Sequence, residues 1–420
     1  MRPVSDVSPA STTPARTVDV LIIGAGPAGL SAATRLAGAG VARVEVLERE
    51  QQAGGVPRHC AHSGFGPWTR PRTGPAYARR LAETAVHAGA TLRTGVTALD
   101  WEAPLTLTTV GPGGPEAITA RAVLLATGAR ERPRAARLVP GTRPEGVYTT
   151  GELQQAVHLH GQRVGTRAVV IGAETVSYAA AAAVRASGAE VVAMVTELPD
   201  AQTDRALARY ARLVRGVPLL TRTTVTELLG QGRLSGVRVR HRDGRTTVLP
   251  CDTVVFTGDF VPDHELARRT GLTLDPGTRS PAVDGQLHTS RPGVLAAGSL
   301  LHPAEPAATA AREGVRAAGA VLEWLVNGDW AESVPIVPEP PLRWIAPHRV
   351  TPADDLPYVL RTAVPLTRPV LHVTQNGRLL HTERSHRGTV LPNRPLRLPA
   401  RWTALVDPKG PEVRVTVAAE

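Results

Sequence analysis

Cysteine is scarce: the 420-residue sequence holds two, Cys60 and Cys251. That excludes a disulfide-built scaffold and any four-cysteine zinc or iron–sulfur site. No CxxC pair occurs, which excludes a redox centre built from neighbouring cysteines. Lysine is scarcer still, with Lys409 alone. The net charge of +11 is therefore carried by arginines, and these are scattered along the chain. Aromatic residues make up 3%, and no basic run is interleaved with them, so a nucleic-acid partner is not expected. No apolar run is long enough to cross a membrane: the longest begins after Asp19, reaches Arg35 and is rich in glycine. The N-terminal arginine precedes no apolar core of the kind a secretory signal needs, and the expected location is the cytoplasm.

What is present points to several buried cores and many turns. Apolar residues make up 42%, with 40 glycines and 37 prolines. Residues 1–16 are Ser, Thr and Pro with little to bury, and read as a disordered tail. From Val18 the chain reads strand–helix–strand: VDVLIIGAG, PAGLSAATRLAGAG, VARVEVLERE. Residues 75–90, 151–166 and 306–326 read as helices. Residues 166–197 form a second strand–helix–strand unit like the first. Further buried strands running into turns are expected within 120–133, 252–263 and 291–299. VPIVPEPPL at 334–342 reads as a proline-rich linker. Beyond it, alternation and an Asn376-Gly377 pair predict hairpins.

The expected fold is α/β, with two Rossmann-like dinucleotide-binding domains. The first is discontinuous, over 17–150 and 258–330. The second, 151–257, is inserted into it. After a linker over 331–342, residues 343–420 form a small β appendage.

Gly24-Ala25-Gly26-Pro27-Ala28-Gly29 is GxGxxG between a strand and a helix. The first glycine makes the tight turn, the second admits a pyrophosphate to the backbone, and the third lets helix and strand pack closely. Glu48 follows Gly24 by 24 residues, where a carboxylate accepts ribose hydroxyls. In the second unit the matching residues are Gly172-Ala173-Glu174-Thr175-Val176-Ser177. Glu174 puts a carboxylate where a pyrophosphate would sit, and Ser177 puts a Cβ where the helix should pack closest. Glu197 lies where an acid would meet a ribose. Two readings stand: the loop has lost its nucleotide, or it rearranges and still binds NAD(H). No arginine follows the strand in a place suited to a 2′-phosphate, which disfavours NADP.

Between the two units, Gly54-Gly55-Val56-Pro57-Arg58-His59-Cys60-Ala61-His62 sets one cysteine among two histidines and an arginine. Cationic neighbours favour a thiolate, histidines serve acid–base work near neutral pH, and an arginine takes a carboxylate bidentately. Arg58, His59, Cys60 and His62 are therefore the candidate catalytic residues. A metal is not expected, because the set lies in one short segment without a fourth partner.

These motifs together resemble the FAD-binding, pyridine-nucleotide-dependent oxidoreductases with two dinucleotide-binding domains. The resemblance covers roughly residues 17–330. It implies FAD as cofactor, held along Gly24, Gly26, Pro27, Ala28, Gly29, Glu48, Gly55, Val96, Ala126, Thr127, Gly128, Gly298 and Ser299. The family usually places an aspartate where Ser299 stands, and a neutral hydroxyl bonds the ribityl chain more weakly. The helix beginning near Pro306 favours negative charge developing on the flavin. GGVPRHCAHSGFG, TGARERP and TTGELQQAVHLHGQRVG narrow the resemblance. They are similar to FAD subunits of opine, proline and cyanide-forming dehydrogenases and to sarcosine oxidase alpha chains. Such subunits often work with a second flavoprotein, and many carry a cysteine-rich iron–sulfur module, for which no cysteine follows Cys251.

Three functions follow. The first is hydride transfer to flavin N5 from NAD(P)H or a small amine donor, without a redox disulfide. The second is an FAD subunit of a heteromeric amino-acid or opine dehydrogenase whose second nucleotide site is lost, with a second flavoprotein or electron carrier as partner. The third is a flavin-binding scaffold without chemistry. Arg130, Arg132, Arg134 and Arg137 either steer an anionic substrate or are simply solvated.

Overall fold

The computed structural model describes residues 15–67, 69–303, 305–385 and 388–418. The run VLII ends strand β1 (Ala15–Ile23), with Val20, Leu21 and Ile22 fully buried. A strand buried on both faces needs neighbours on both sides. β1 finds them in parallel β2 (Val44–Glu48) and Gly114–Leu125, pairing Ile22 with Val46 and with Leu124. Thr91–Thr94 and Val294–Ala296 extend the parallel set, and Thr97–Ala103 and Thr106–Gly111 complete seven strands. Helices α1 (Pro27–Gly38) and α2 (Gly74–His87) follow the first glycine loop and the Gly54–His62 segment. The long closing helix of this half (Ala307–Asn327) packs against α1: a Cβ at Gly314 would sit 2.0 Å from Ala28 O.

A second, all-parallel sheet is ordered Val147–Thr149, Thr253–Phe256, Arg167–Ile171, Glu190–Val195, Leu219–Leu220. Helix α3 (Thr150–His158) opens this half with a capping box between Thr149 and Glu152. Helices α4 (Thr175–Ala186) and α5 (Arg205–Leu213) follow, then a three-stranded antiparallel sheet over 223–250. The two halves are joined where Ala129–Glu131 pairs antiparallel with Phe260–Pro262. The chain then returns through α6 (Glu265–Arg269) to the closing helix, α7 (Ala307–Asn327). The molecule is thus α/β, with two Rossmann-like parallel sheets.

The C-terminal region has its own core around Trp402, Tyr358, Leu360 and Val413. Five- and three-stranded sheets enclose it. Asn376 and Gly377 both take positive φ (49° and 74°), as the hairpin between Val370–Gln375 and Arg378–Arg384 requires.

Three sequence expectations are corrected. The tail was expected to reach residue 16, yet Ala15 and Arg16 begin β1. Arg16 donates to Glu45 Oε2 at 2.6 Å and to Glu116 Oε2 at 2.8 Å, and these ion pairs pin the strand's start. Residues 1–14 lie outside the described residues. The expected linker holds strand Val334–Pro338, which pairs with Val413–Val417 and Arg349–Val350. Val334 and Ile336 point inward while Pro335 is exposed, and beside a two-residue neighbour the strand lies near the sheet edge, where proline is tolerated. α3 also ends at His158, earlier than the expected 166. Among the described residues, no helix is long and apolar enough to cross a membrane.

Candidate functional site

The carboxyl ends of the first sheet's parallel strands gather the first group of predicted residues. β1 gives way at Gly24, whose φ of +105° suits glycine. A Cβ at Gly24 would lie 2.4 Å from Ala126 O, and one at Gly29 would lie 2.0 Å from Gly24 O. Neither position admits a side chain. Gly26 differs: a Cβ there would meet nothing within 4 Å. Gly26 is the N-cap of α1, Pro27 stands in the first turn, and no side chain caps the helix. The first N–H groups of α1 are left to an outside anion, in front of open space.

Buried Glu48 ends β2. Its Oε2 accepts from Ala25 N at 3.1 Å and its Oε1 from Glu50 N at 3.0 Å. Val96 N donates to Glu48 O at 2.9 Å. Gly55 crosses the loop, where a Cβ would sit 3.0 Å from Gly26 Cα. Ala126 N donates to Ile23 O at 2.8 Å. Thr127 Oγ1 donates to Asp263 O at 2.6 Å, and Asp263 N to Gly128 O at 2.9 Å. Gly298 abuts Ala28, whose Cβ would be 2.8 Å from a Cβ on the glycine. Half-buried Ser299 follows it.

Residues absent from the sequence reading join this edge. Gly298 N donates to Glu313 Oε2 at 2.9 Å, and Glu313 Oε1 lies 2.6 Å from His302 Nε2. Burial disfavours charge on His302, but the Glu313 carboxylate outweighs it and raises the pKa. Arg361, from the C-terminal region, donates to Glu305 at 2.5 Å with both side chains 7% exposed. Its guanidinium lies over Trp344. Glu313 sits in an alanine-rich helix and Arg361 in a region without motifs, so neither stood out.

The Arg58–His62 segment is differently placed from its expected chemistry. Cys60 is buried, and its Sγ faces Val56 O at 3.4 Å and Gln154 Oε1 at 3.5 Å. Burial pushes the thiol up to about 12, so the expected thiolate is corrected to a neutral thiol. Burial, aided by Arg58 and His158, pushes His59 down to about 4, so it is neutral at pH 7. His62 is exposed, its ring tilted 31° to that of Phe65 at 5.2 Å between centroids. The four residues therefore divide into a buried, uncharged pair and two more accessible neighbours. Arg130 and Arg132 pair with Glu265 and Asp259, and Arg137 donates to Thr257 O at 3.0 Å and Gly258 O at 2.6 Å. Arg134 donates to Val139 O at 3.1 Å and Gly141 O at 2.9 Å. This arginine group clamps the crossover between the halves.

The second loop is filled by the chain itself. Gly172 keeps the turn, with φ of +133°. Glu174 is the N-cap of α4 and closes a capping box with Ser177. Ser177 Oγ donates to Glu174 Oε2 at 2.8 Å, and Thr257 Oγ1 lies 3.3 Å from the same oxygen. Asn393 Nδ2, from the C-terminal region, donates to Glu174 Oε1 at 2.8 Å. Arg394 donates to Thr203 O at 3.2 Å, and Gln202 N to Ala173 O at 2.9 Å. Glu197 is exposed and stands apart from these contacts.

A family model described as pyridine nucleotide-disulphide oxidoreductase matches residues 18–314. The chain belongs to that family. It is 29% identical over 315 residues to a thioredoxin reductase of Mycolicibacterium smegmatis, covering 74% of this chain and 97% of the relative. It is 29% identical to an opine oxidase subunit of Rhizobium meliloti, covering 67% of this chain and 58% of that one. It is 31% identical to the alpha subunit of sarcosine oxidase from Corynebacterium sp. (strain P-1), covering 58% of this chain and 26% of that one. The chain thus spans little more than half, and about a quarter, of those two oxidase chains. Among solved structures it is similar to thioredoxin reductase of T. acidophilum, with a TM-score of 0.63 and 25% identity over 73% of this chain and 98% of that one. A NAD-dependent persulfide reductase from A. fulgidus shares the fold over 87% of this chain and 70% of that one, with a TM-score of 0.57 and 20% identity.

Members of this oxidoreductase family depend on FAD and use NAD(P)H. The first loop fits FAD: it offers open space at Gly26, uncapped amides on α1 and a buried acid at Glu48. At the second loop the Glu174 carboxylate stands at the N-cap of α4, bonded by Ser177 and Asn393. Both cysteines are unpaired.

Proposed function

We propose that the chain is an FAD-dependent oxidoreductase that takes its reducing equivalents from a small amine or amino-acid donor, without a redox disulfide and without NAD(P)H. One observation carries this reading: the second loop has a carboxylate, Glu174, at the N-cap of α4, bonded by Ser177 and Asn393. A phosphate placed there would meet a like charge in a half-buried loop, at a cost of several kcal/mol. Bound FAD supplies a two-electron acceptor. Along its path Gly24, Gly26, Pro27, Ala28 and Gly29 would receive the pyrophosphate, and Glu48 the ribose. Val96, Ala126, Thr127 and Gly128 would flank the nucleotide, and Gly55, Gly298 and Ser299 the ribityl side. The His302–Glu313 pair, bonded to Gly298 N, lies behind that segment.

The relatives named as oxidase subunits support a donor of the amine class and a partner chain that removes the electrons. The experiment is anaerobic addition of NADH to the purified yellow protein, followed by visible absorbance. The flavin band stays unbleached with NADH and bleaches with an amine donor. Fast bleaching by NADH would overturn the reading and revive NAD(P)H as donor. A flavin reduced by neither class would favour a scaffold role.

A further inference from the structure

Two helices of this chain start beside an acidic residue and use it in opposite ways. At α4 the Glu174 carboxylate stands at the N-cap and closes a capping box with Ser177. At α7 Glu305 comes one residue before the N-cap, Pro306, yet no side chain caps the helix and its first turn holds no acid. The Glu305 carboxylate is bonded elsewhere: Arg361 Nη2 donates to its Oε1 at 2.5 Å. The first amides of α7 and the positive end of its dipole are left uncovered by the acid next to them. That helix end lies at the proposed flavin path. A Cβ on Gly298 would sit 3.6 Å from the Cβ of Ala310, in the first turn of α7, and 2.8 Å from that of Ala28. Ala28 stands in the first turn of α1, which would receive the pyrophosphate.

Arg361 comes from the C-terminal region and is held in place there. It stands in strand Tyr358–Thr362, every residue of which is buried, and its guanidinium lies 5.1 Å from the Trp344 ring centroid. A buried ion pair adds little stability, because desolvating two charges offsets their attraction. Its effect lies in where it puts charge: Arg361 cancels the Glu305 carboxylate in front of α7 and draws it off the amides. His302, 6% exposed, lies within electrostatic reach of both members. Its buried Nδ1 has no hydrogen-bond partner among the described residues. Buried polar atoms are nearly always bonded, so this nitrogen marks the corner as built around a further group.

We propose that Arg361 is a positioning residue of the flavin site: by holding Glu305 away from the N-terminus of α7, it keeps that helix end electropositive and so favours the reduced, negatively charged cofactor. The C-terminal region is thereby part of the redox site. The proposal rests on the FAD path described above and is independent of the donor.

Spectroelectrochemical titration of the FAD-loaded protein tests it, with the flavin midpoint potential as the readout. Arg361→Met leaves Glu305 unpaired beside the helix end. Affinity for reduced relative to oxidised FAD then falls roughly tenfold, a drop of about 30 mV for a two-electron couple. Glu305→Gln leaves the guanidinium unpaired and shifts the potential upward by a similar factor. The double variant has lost the tie between the two regions but carries neither charge, and its potential returns close to that of the wild type. A tie that only fastens the C-terminal region predicts otherwise: all three variants lower Tm and leave the potential where it was. Unchanged potentials, or shifts of the same sign in both single variants, overturn the proposal. If Arg361→Met fails to fold, Arg361→Lys, which keeps the charge and the wild-type potential, is set against Glu305→Gln under the same criterion. A wild-type chain that binds no FAD overturns the flavin path and this proposal with it. The NADH experiment is separate: bleaching by NADH overturns the amine donor and leaves these potentials as they are.

Discussion

The two glycine loops of this chain begin alike and end opposite. Both follow a buried parallel strand, turn at a glycine of positive φ and start a helix. At the third position one has Gly26, facing open space, and the other has Glu174, tied to Ser177 and Asn393. At the sixth, Gly29 touches Gly24 O, whereas Ser177 fills the gap with a hydroxyl that the loop uses. The helix end is the same anion site in each. In the first no side chain caps it, and in the second a carboxylate stands at the N-cap. The second loop thus keeps the strand–glycine–helix architecture while Glu174 and Ser177 bond to each other at its helix end. That joint is shared, because the C-terminal region supplies Asn393 and Arg394 to it.

The contrast can be broken by exchanging the loops' residues. Gly26→Glu should have the largest effect. The position has room for a side chain, so the protein folds, but FAD affinity falls by at least ~100-fold through like-charge repulsion. The readout is loss of the flavin band from purified protein; a yellow variant would show that the carboxylate is tolerated. The reverse exchange, Glu174→Gly with Asn393→Ala, should raise NADH affinity by roughly tenfold or more, as quenching of NADH fluorescence would report. No gain would mean that Gln202, Thr203 and Ser177 also bar the loop.

An acid titration sharpens the contrast from the segment between the loops. His59 titrates near 4 in the folded chain and near 6.5 when unfolded. The unfolded state binds more protons in that window, so stability is full above pH 6.5 and declines toward pH 4. The loss is on the order of 3 kcal/mol for this residue alone. Denaturant melts of wild type and His59→Gln at pH 7 and pH 5 should differ in that direction, with the variant less pH-sensitive. The smallest effect is that of Asn393→Ala, which removes one hydrogen bond across the joint and costs about 1 kcal/mol. Differential scanning calorimetry would register it as a modest drop in Tm, and an unchanged Tm would make the contact incidental.

The first loop was legible because its chemistry is local. A tight turn, an uncapped helix and an acid at the end of the next strand follow from residues 24–48 in order. The second loop's departure from GxGxxG was equally legible, in Glu174 and Ser177. The Cys60 cluster was misjudged for the opposite reason. Arg58 and the histidines adjoin Cys60 in sequence, but burial against Gln154 dominates the thiol's environment, and that packing comes from α3. The proline-rich stretch at 334–338 was likewise read from composition, whereas its partner strand lies near the far end of the chain.

What the sequence determined by itself is everything that short-range geometry enforces. It set the two strand–helix–strand units, the Asn376–Gly377 hairpin, the glycine positions and the lack of a cysteine pair. The tertiary structure alone decided which distant groups meet. It brought Glu313 to Gly298, Arg361 to Glu305, Asn393 to Glu174, and Gln154 to Cys60. The physical reason is that burial and charge pairing act through space. A side chain's pKa and partners depend on what packs against it, and chain order carries no record of that.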